Sequence, residues 1–221
     1  PRPGGVPRPA NPLLLRSLAS LDPRPMVALA GLLAAGAVDA SSIGHRIDDL
    51  TGGRWPAAPL WVVAVRLSDG RRVVFGRDVT DAPIGRAVAA SCAIPGWFTP
   101  VEIDGSRYVD GGVHSTTNAD LAAGQGLDLV IVSAPMAGRW RSLRRNVSAV
   151  SRTSARVTLD REVARLRRDG VDVLVLQPGP GDTPLMDGRH MDPSSRRPVA
   201  EQARASTLET LATRPGPRPA P

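Results

Sequence analysis

The chain has 221 residues, about one and a half typical domains, and 42% of them are hydrophobic, enough for a core and too many for wholesale disorder. Its net charge of +7 comes from 28 basic residues that are all arginine, beside 22 glycines and 22 prolines. A phosphate-gripping surface would normally mix lysine with arginine, so this bias reads as the mark of a GC-rich coding sequence, and the single cysteine, Cys92, excludes an internal disulfide and a cysteine-rich metal site.

In chain order, residues 1–12 and 214–221 are proline-rich and are expected to be disordered tails, leaving 13–213 as the folding part. Leu13–Leu21 and Met26–Ala37 have helical composition, with Asp22-Pro23 as a break. The apolar stretch Met26–Val38 is interrupted by glycine and is shorter than the roughly 18 residues a membrane span needs. No secretory pattern is visible, so a cytoplasmic protein is the expectation. Ile43–Leu50 predicts a short helix.

Leu60–Leu67 is an almost continuous apolar run, as in a strand buried on both faces. Asp69-Gly70 then predicts a tight turn, with Arg72–Phe75 returning as its hairpin partner. Asp81 is placed to cap a helix with Pro83 in its first turn, running to about Ala93. Val101–Ile103 and Arg107–Val109 are short strands around Asp104-Gly105. Asn118–Gln125 reads as helix, Leu127–Ala134 as a second buried strand, Ser142–Arg168 as a long helix, Val171–Gln177 as a third strand and Val199–Leu211 as a last helix. Buried strands alternating with helices predict an α/β layered domain around a mainly parallel sheet.

The three histidines, His45, His114 and His190, lie far apart without ligand spacing, and no glycine-rich phosphate loop follows a strand, so neither a metal nor a cofactor is expected. The stretch richest in chemistry is Ala90–Met136. There Asp110-Gly111-Gly112 closes a short strand, and the permissive turn leaves a carboxylate to face a cleft.

This segment closely resembles the patatin-like phospholipase family. The resemblance rests on Ala90, Ser91, Ala93, Pro95, Gly96, Trp97, Phe98, Pro100, Val101, Gly105, Tyr108, Val109, Asp110, Gly111, Gly112, Val113, Asn118, Gly126, Leu127 and Asp128, all in the family's order. It is dense over Trp61–Met136 and thinner from Leu18 to Leu211; Thr117 stands where the family often has a proline beside the asparagine. The resemblance implies a three-layer α/β/α domain and a lipid acyl hydrolase with a Ser–Asp dyad. In it Asp110 takes the serine's proton, the serine sits in Gly-x-Ser-x-Gly and an upstream glycine-rich loop supplies oxyanion donors.

No serine of this chain lies in Gly-x-Ser-x-Gly. The nearest match, Ala40-Ser41-Ser42-Ile43-Gly44, lacks the first glycine and a preceding strand, so Ser42 is expected to cap a helix instead. Gly4-Gly5 is too short and proline-bound for the oxyanion loop. The chain is therefore expected to be the C-terminal portion of the domain, N-terminally incomplete and inactive alone. An inactive remnant or interaction domain is the alternative, and an arginine-rich nucleic-acid binder ranks behind it, with no nucleic acid expected.

Ser91 and Cys92 are expected to pack rather than react, and His114 to sit in a turn. Trp97 and Phe98 suit either an acyl pocket or core packing. The implied partner is a lipid or ester substrate. The dense run Arg139–Arg168 could meet an anionic membrane surface, although a solvated helix face is the plainer reading.

Overall fold

The computed structural model describes residues 36–137, 147–186 and 192–213. The whole of the expected helix 13–21, residues 26–35 of the next, both tails, Gly4-Gly5, His190 and residues 139–146 of the arginine-rich run lie outside them. The chain divides into two units, the first ending at His114 and the second beginning at Ser115.

In the first unit, helix α1 (Ser41–Thr51) leads to strands β1 (Val62–Arg66) and β2 (Arg72–Phe75), helix α2 (Ile84–Ser91), and strands β3 (Val101–Ile103) and β4 (Ser106–Asp110). The strands form one antiparallel sheet in the order β2-β1-β4-β3. Both expected hairpins are present. At the second, Asp104 and Gly105 have φ of 48° and 71°, as a two-residue turn matched to strand twist requires.

Successive residues of a strand face opposite sides. Ala64 and Tyr108 join a core with Phe75, Ala87 and Ala90, whereas their neighbours Val65 and Val109 join a separate cluster with Leu67 and Val113. The expectation that β1 is covered on both faces holds.

Helices α1 and α2 meet at two glycines. A Cβ on Gly85 would stand 2.5 Å from the Gly44 carbonyl oxygen, and one on Gly44 would stand 3.0 Å from that of Gly85. Asp81 does not cap α2. Its N-cap is Pro83, with no side-chain bond, and the Gly85 N–H donates instead to Asp48 Oδ1 of α1 at 3.0 Å. At the other end of the expected helix 26–37, Gly36 and Ala37 are not helical. The Gly36 and Val38 N–H groups donate to the Phe98 and Trp97 carbonyls, which draws this backbone alongside residues 97–98.

In the second unit, β5 (Leu129–Ser133), α3 (Val147–Arg168) and β6 (Asp172–Leu176) form a strand–helix–strand unit with β5 and β6 parallel in continuous register. Short helix α4 (Thr183–Met186) and α5 (Arg196–Thr213) follow. Leu159, Val163 and Leu166 of α3 pack with Val130 and Val132 of β5 and with Val171 and Val173. Leu129 and Ile131, on the opposite face of β5, are exposed, so that strand is buried on one side only. The helix expected over 118–125 shrinks to a single 3-10 turn, Ala119–Ala122, entered through Asn118 at φ 47°.

Helices and strands are thus mixed, as the α/β class requires, and neither sheet closes on itself. The mainly parallel sheet expected from the sequence is confined to β5 and β6. Tight turns join β1 to β2 and β3 to β4 and impose antiparallel pairing; parallel pairing needs a long crossover, which α3 supplies once. Among the described residues no helix is long and apolar enough to cross a membrane.

Buried Glu162 anchors the start of this unit. It lies on the same stripe of α3 as Leu159 and Leu166 and accepts hydrogen bonds from Thr117 Oγ1 (2.6 Å) and the Ala119 N–H (3.0 Å). Burial pushes its carboxyl above the usual glutamate range, with nearby Asp120 adding to the rise, while Thr117, Ser115 and the Ala119 N–H oppose it. A raised carboxyl binds its proton more tightly in the folded than in the unfolded chain, so stability falls as pH rises from the ordinary glutamate value through the raised one. Glu162→Gln, whose amide oxygen can still accept, is expected to flatten that decline in thermal melts. Glu162→Ala leaves two donors unmet and is expected to cost about 1–3 kcal/mol. Equal pH profiles for native and Glu162→Gln would show that the carboxylate is not shielded from water.

Candidate active site

Asp110 is the last residue of β4, opposite Ala64 of β1. Its own N–H donates to the Ala93 carbonyl at 3.0 Å, which fixes the end of the α2 segment beside it. The chain then turns sharply into a 3-10 turn, Gly111–Val113, with Asp110 as its N-cap. Both glycines are required, for different reasons. A Cβ on Gly111 would run into the carbonyl oxygen of Val63 on β1. A Cβ on Gly112 would stand 2.9 Å from Asp110 Oδ1, where the Gly112 N–H now donates at 2.6 Å. Neither has φ in the left-handed region, so close approach and not backbone freedom explains the pair.

The Asp110 side chain is half-buried, and burial pushes its carboxyl above the usual aspartate range; the Gly112 N–H partly offsets this by favouring the charged form. A desolvated carboxylate with a raised pKa is chemically suited to take a proton from a hydroxyl.

Half-buried Cys92, just past the end of α2, is within electrostatic reach. Burial pushes its thiol up, and the Asp110 carboxylate pushes it further. Asp110→Asn is therefore expected to lower the Cys92 pKa and speed its alkylation at mildly alkaline pH. Unchanged alkylation rates across the pH range would separate the two groups.

Ser42 is exposed in the first turn of α1 and does not cap it: the helix begins at Ser41 with Ala40 as N-cap, and Asp39 accepts both the Ser41 N–H and its hydroxyl at 2.8 Å. Ser91 and Cys92 are half-buried at the end of α2. The His114 N–H donates to the Gly111 carbonyl at 3.0 Å, closing the 3-10 turn. Trp97 is 57% exposed, while Phe98 packs partly against the first core. A cleft of about 210 Å³ between α1, α2 and β3 is lined by Ser41, His45, Asp48 and Arg86 among others, and Asp110 is not on its wall.

Two functional-looking carboxylates escaped the sequence reading. Asp48 gave no local signal, because its partner Gly85 is 37 residues away. Glu162 did leave one: an acid within the apolar stripe Leu159, Val163, Leu166, three residues after Leu159.

Residues 61–123 match the family model described as patatin-like phospholipase. Over this stretch the chain is similar to that family. The match takes in β1 to β4, Asp110-Gly111-Gly112 and the turn at Ala119–Ala122. Among curated proteins, the chain is similar to an uncharacterized NTE family protein of Mycobacterium bovis and to two from strains of Mycobacterium tuberculosis. Each is 35% identical over 125 residues, covering 52% of this chain and 33% of the relative. The chain thus spans about a third of the length of these relatives.

Proposed function

We propose that the patatin-like segment supplies the general base of a serine acyl hydrolase acting on lipid esters. The observation that carries this is Asp110: a half-buried carboxylate with its pKa raised, at the end of a strand, held through one oxygen by the Gly112 N–H. In this reading the carboxylate takes the serine's proton as the hydroxyl oxygen attacks the ester carbon, and no histidine is needed. The exposed arginines of α3, Arg161, Arg165, Arg167 and Arg168, offer a basic face to anionic lipid head groups. A second reading, a catalytically inactive member or interaction domain, draws support from one fact: none of the 221 residues forms Gly-x-Ser-x-Gly.

A base without its nucleophile and oxyanion donors lacks the parts that provide most of the rate. The purified 221-residue chain is therefore expected to hydrolyse a p-nitrophenyl ester no faster than buffer. Turnover abolished by Ser42→Ala would overturn this and make Ser42 the nucleophile; turnover insensitive to both Ser42→Ala and Asp110→Ala would identify a contaminating esterase.

A further inference from the structure

We propose that Gly112 is a positioning residue for Asp110: its backbone N–H ties Oδ1 and leaves Oδ2 as the oxygen that receives the serine's proton. The inference rests on the proposed role of Asp110 and specifies which atom acts. A carboxylate has two equivalent oxygens and a soft terminal torsion, so a free aspartate presents neither in a fixed direction. Here the Gly112 N–H donates to Oδ1 at 2.6 Å, a short, charge-assisted bond. Among the described residues Oδ2 accepts no hydrogen bond, and Asp110 has no ion pair.

The donor is itself held in place. The Gly111 backbone lies against the Val63 carbonyl so closely that no Cβ fits, and the Asp110 N–H is bonded to Ala93. Two neighbouring pieces of backbone thus fix where the Gly112 N–H points. A side chain at Gly112 would crowd Oδ1 from 2.9 Å, so the contact tolerates only glycine without displacing the carboxylate.

The proton balance is simple. As the serine Oγ–C bond forms, the carbonyl π pair moves onto the ester oxygen and the hydroxyl proton moves to Oδ2. When the tetrahedral intermediate collapses, that proton passes to the leaving alkoxide oxygen as its C–O bond breaks. Throughout, Oδ1 keeps its bond to Gly112, so the carboxyl does not turn between the two transfers.

The first test needs no variant. In the native chain, followed by NMR, the Gly112 amide proton is expected to move downfield as Asp110 ionises, with the same midpoint as the Asp110 carboxyl carbon; Asp110→Asn assigns both signals. A Gly112 amide proton that ignores this titration would overturn the proposal. The second test is Gly112→Pro, which removes the donor at a position whose φ is outside the left-handed region, read against Gly112→Ala, which keeps the N–H and adds the same Cβ near Oδ1. Gly112→Pro is expected to raise the Asp110 midpoint above that of Gly112→Ala. In a protein joining this chain to a Gly-x-Ser-x-Gly serine, it should also shift the acid limb of kcat/KM to higher pH and lower kcat roughly 10- to 100-fold, with KM little changed. A folded Gly112→Pro variant with a midpoint no higher than that of Gly112→Ala would sink the idea; if the variant does not fold, the native titration decides. Near-full turnover in Asp110→Asn would reject the dyad and leave the amide titration untouched, so the two failures are distinguishable.

Discussion

Asp110→Asn is expected to lower ester hydrolysis roughly 100- to 10,000-fold in a protein that joins this chain to a Gly-x-Ser-x-Gly serine. The amide has nearly the shape of the carboxylate but cannot take the hydroxyl proton. Its oxygen can still accept from the Gly112 N–H, so the turn has no reason to open. The same substitution carries an independent signature in stability. Because burial raises the Asp110 carboxyl, the folded chain holds that proton more tightly than the unfolded chain, and ionising it costs stability as pH rises through the raised value. Asparagine removes that cost. Thermal melts at neutral pH should therefore show the variant at least as stable as the native chain while its turnover collapses. Retained turnover would reject the dyad and shift attention to His114, four residues on. Lost turnover with lost stability would mean that the turn, and not the base, had been damaged.

Phe75→Ala is expected to destabilise the first unit by about 3–5 kcal/mol, a large share of the roughly 5–15 kcal/mol that holds a domain together. Phe75 is fully buried at the end of β2, and its ring meets that of Tyr108 edge to face, with centroids 5.2 Å apart and planes at 67°. Removing it leaves a ring-sized cavity between α2 and the sheet and strips Tyr108 of its partner. Tyr108 is two residues before Asp110 on β4, so the loss falls on the strand that carries the candidate base. Urea unfolding of native, Phe75→Leu and Phe75→Ala chains measures it, with Leu between the other two. A loss below about 1 kcal/mol for Phe75→Ala would show that the core collapses around the gap or that Phe75 is not central to it.

What the sequence by itself determined is short in range or carried by resemblance. Asp69-Gly70 and Asp104-Gly105 specify hairpins because the residues that must adopt the turn conformation are adjacent, and the turn then sets the register of both flanking strands. The alternation of strands with helices predicted parallel pairing, which the described strands show only between β5 and β6. Asp110 stood out through the family pattern around it, since three residues alone describe any turn. The tertiary structure decided the rest. That β4 pairs with β1, bringing Gly111 against Val63, follows from closing a loop of more than forty residues, for which no local residue type provides a code. The cap of α2 came from Asp48 and not from nearby Asp81, because packing Gly44 on Gly85 brought a distant carboxylate to the helix start. Glu162 met Thr117 across 45 residues in the same way. A buried polar atom takes whichever partner the packed chain brings within about 3 Å, and sequence distance has no bearing on that choice.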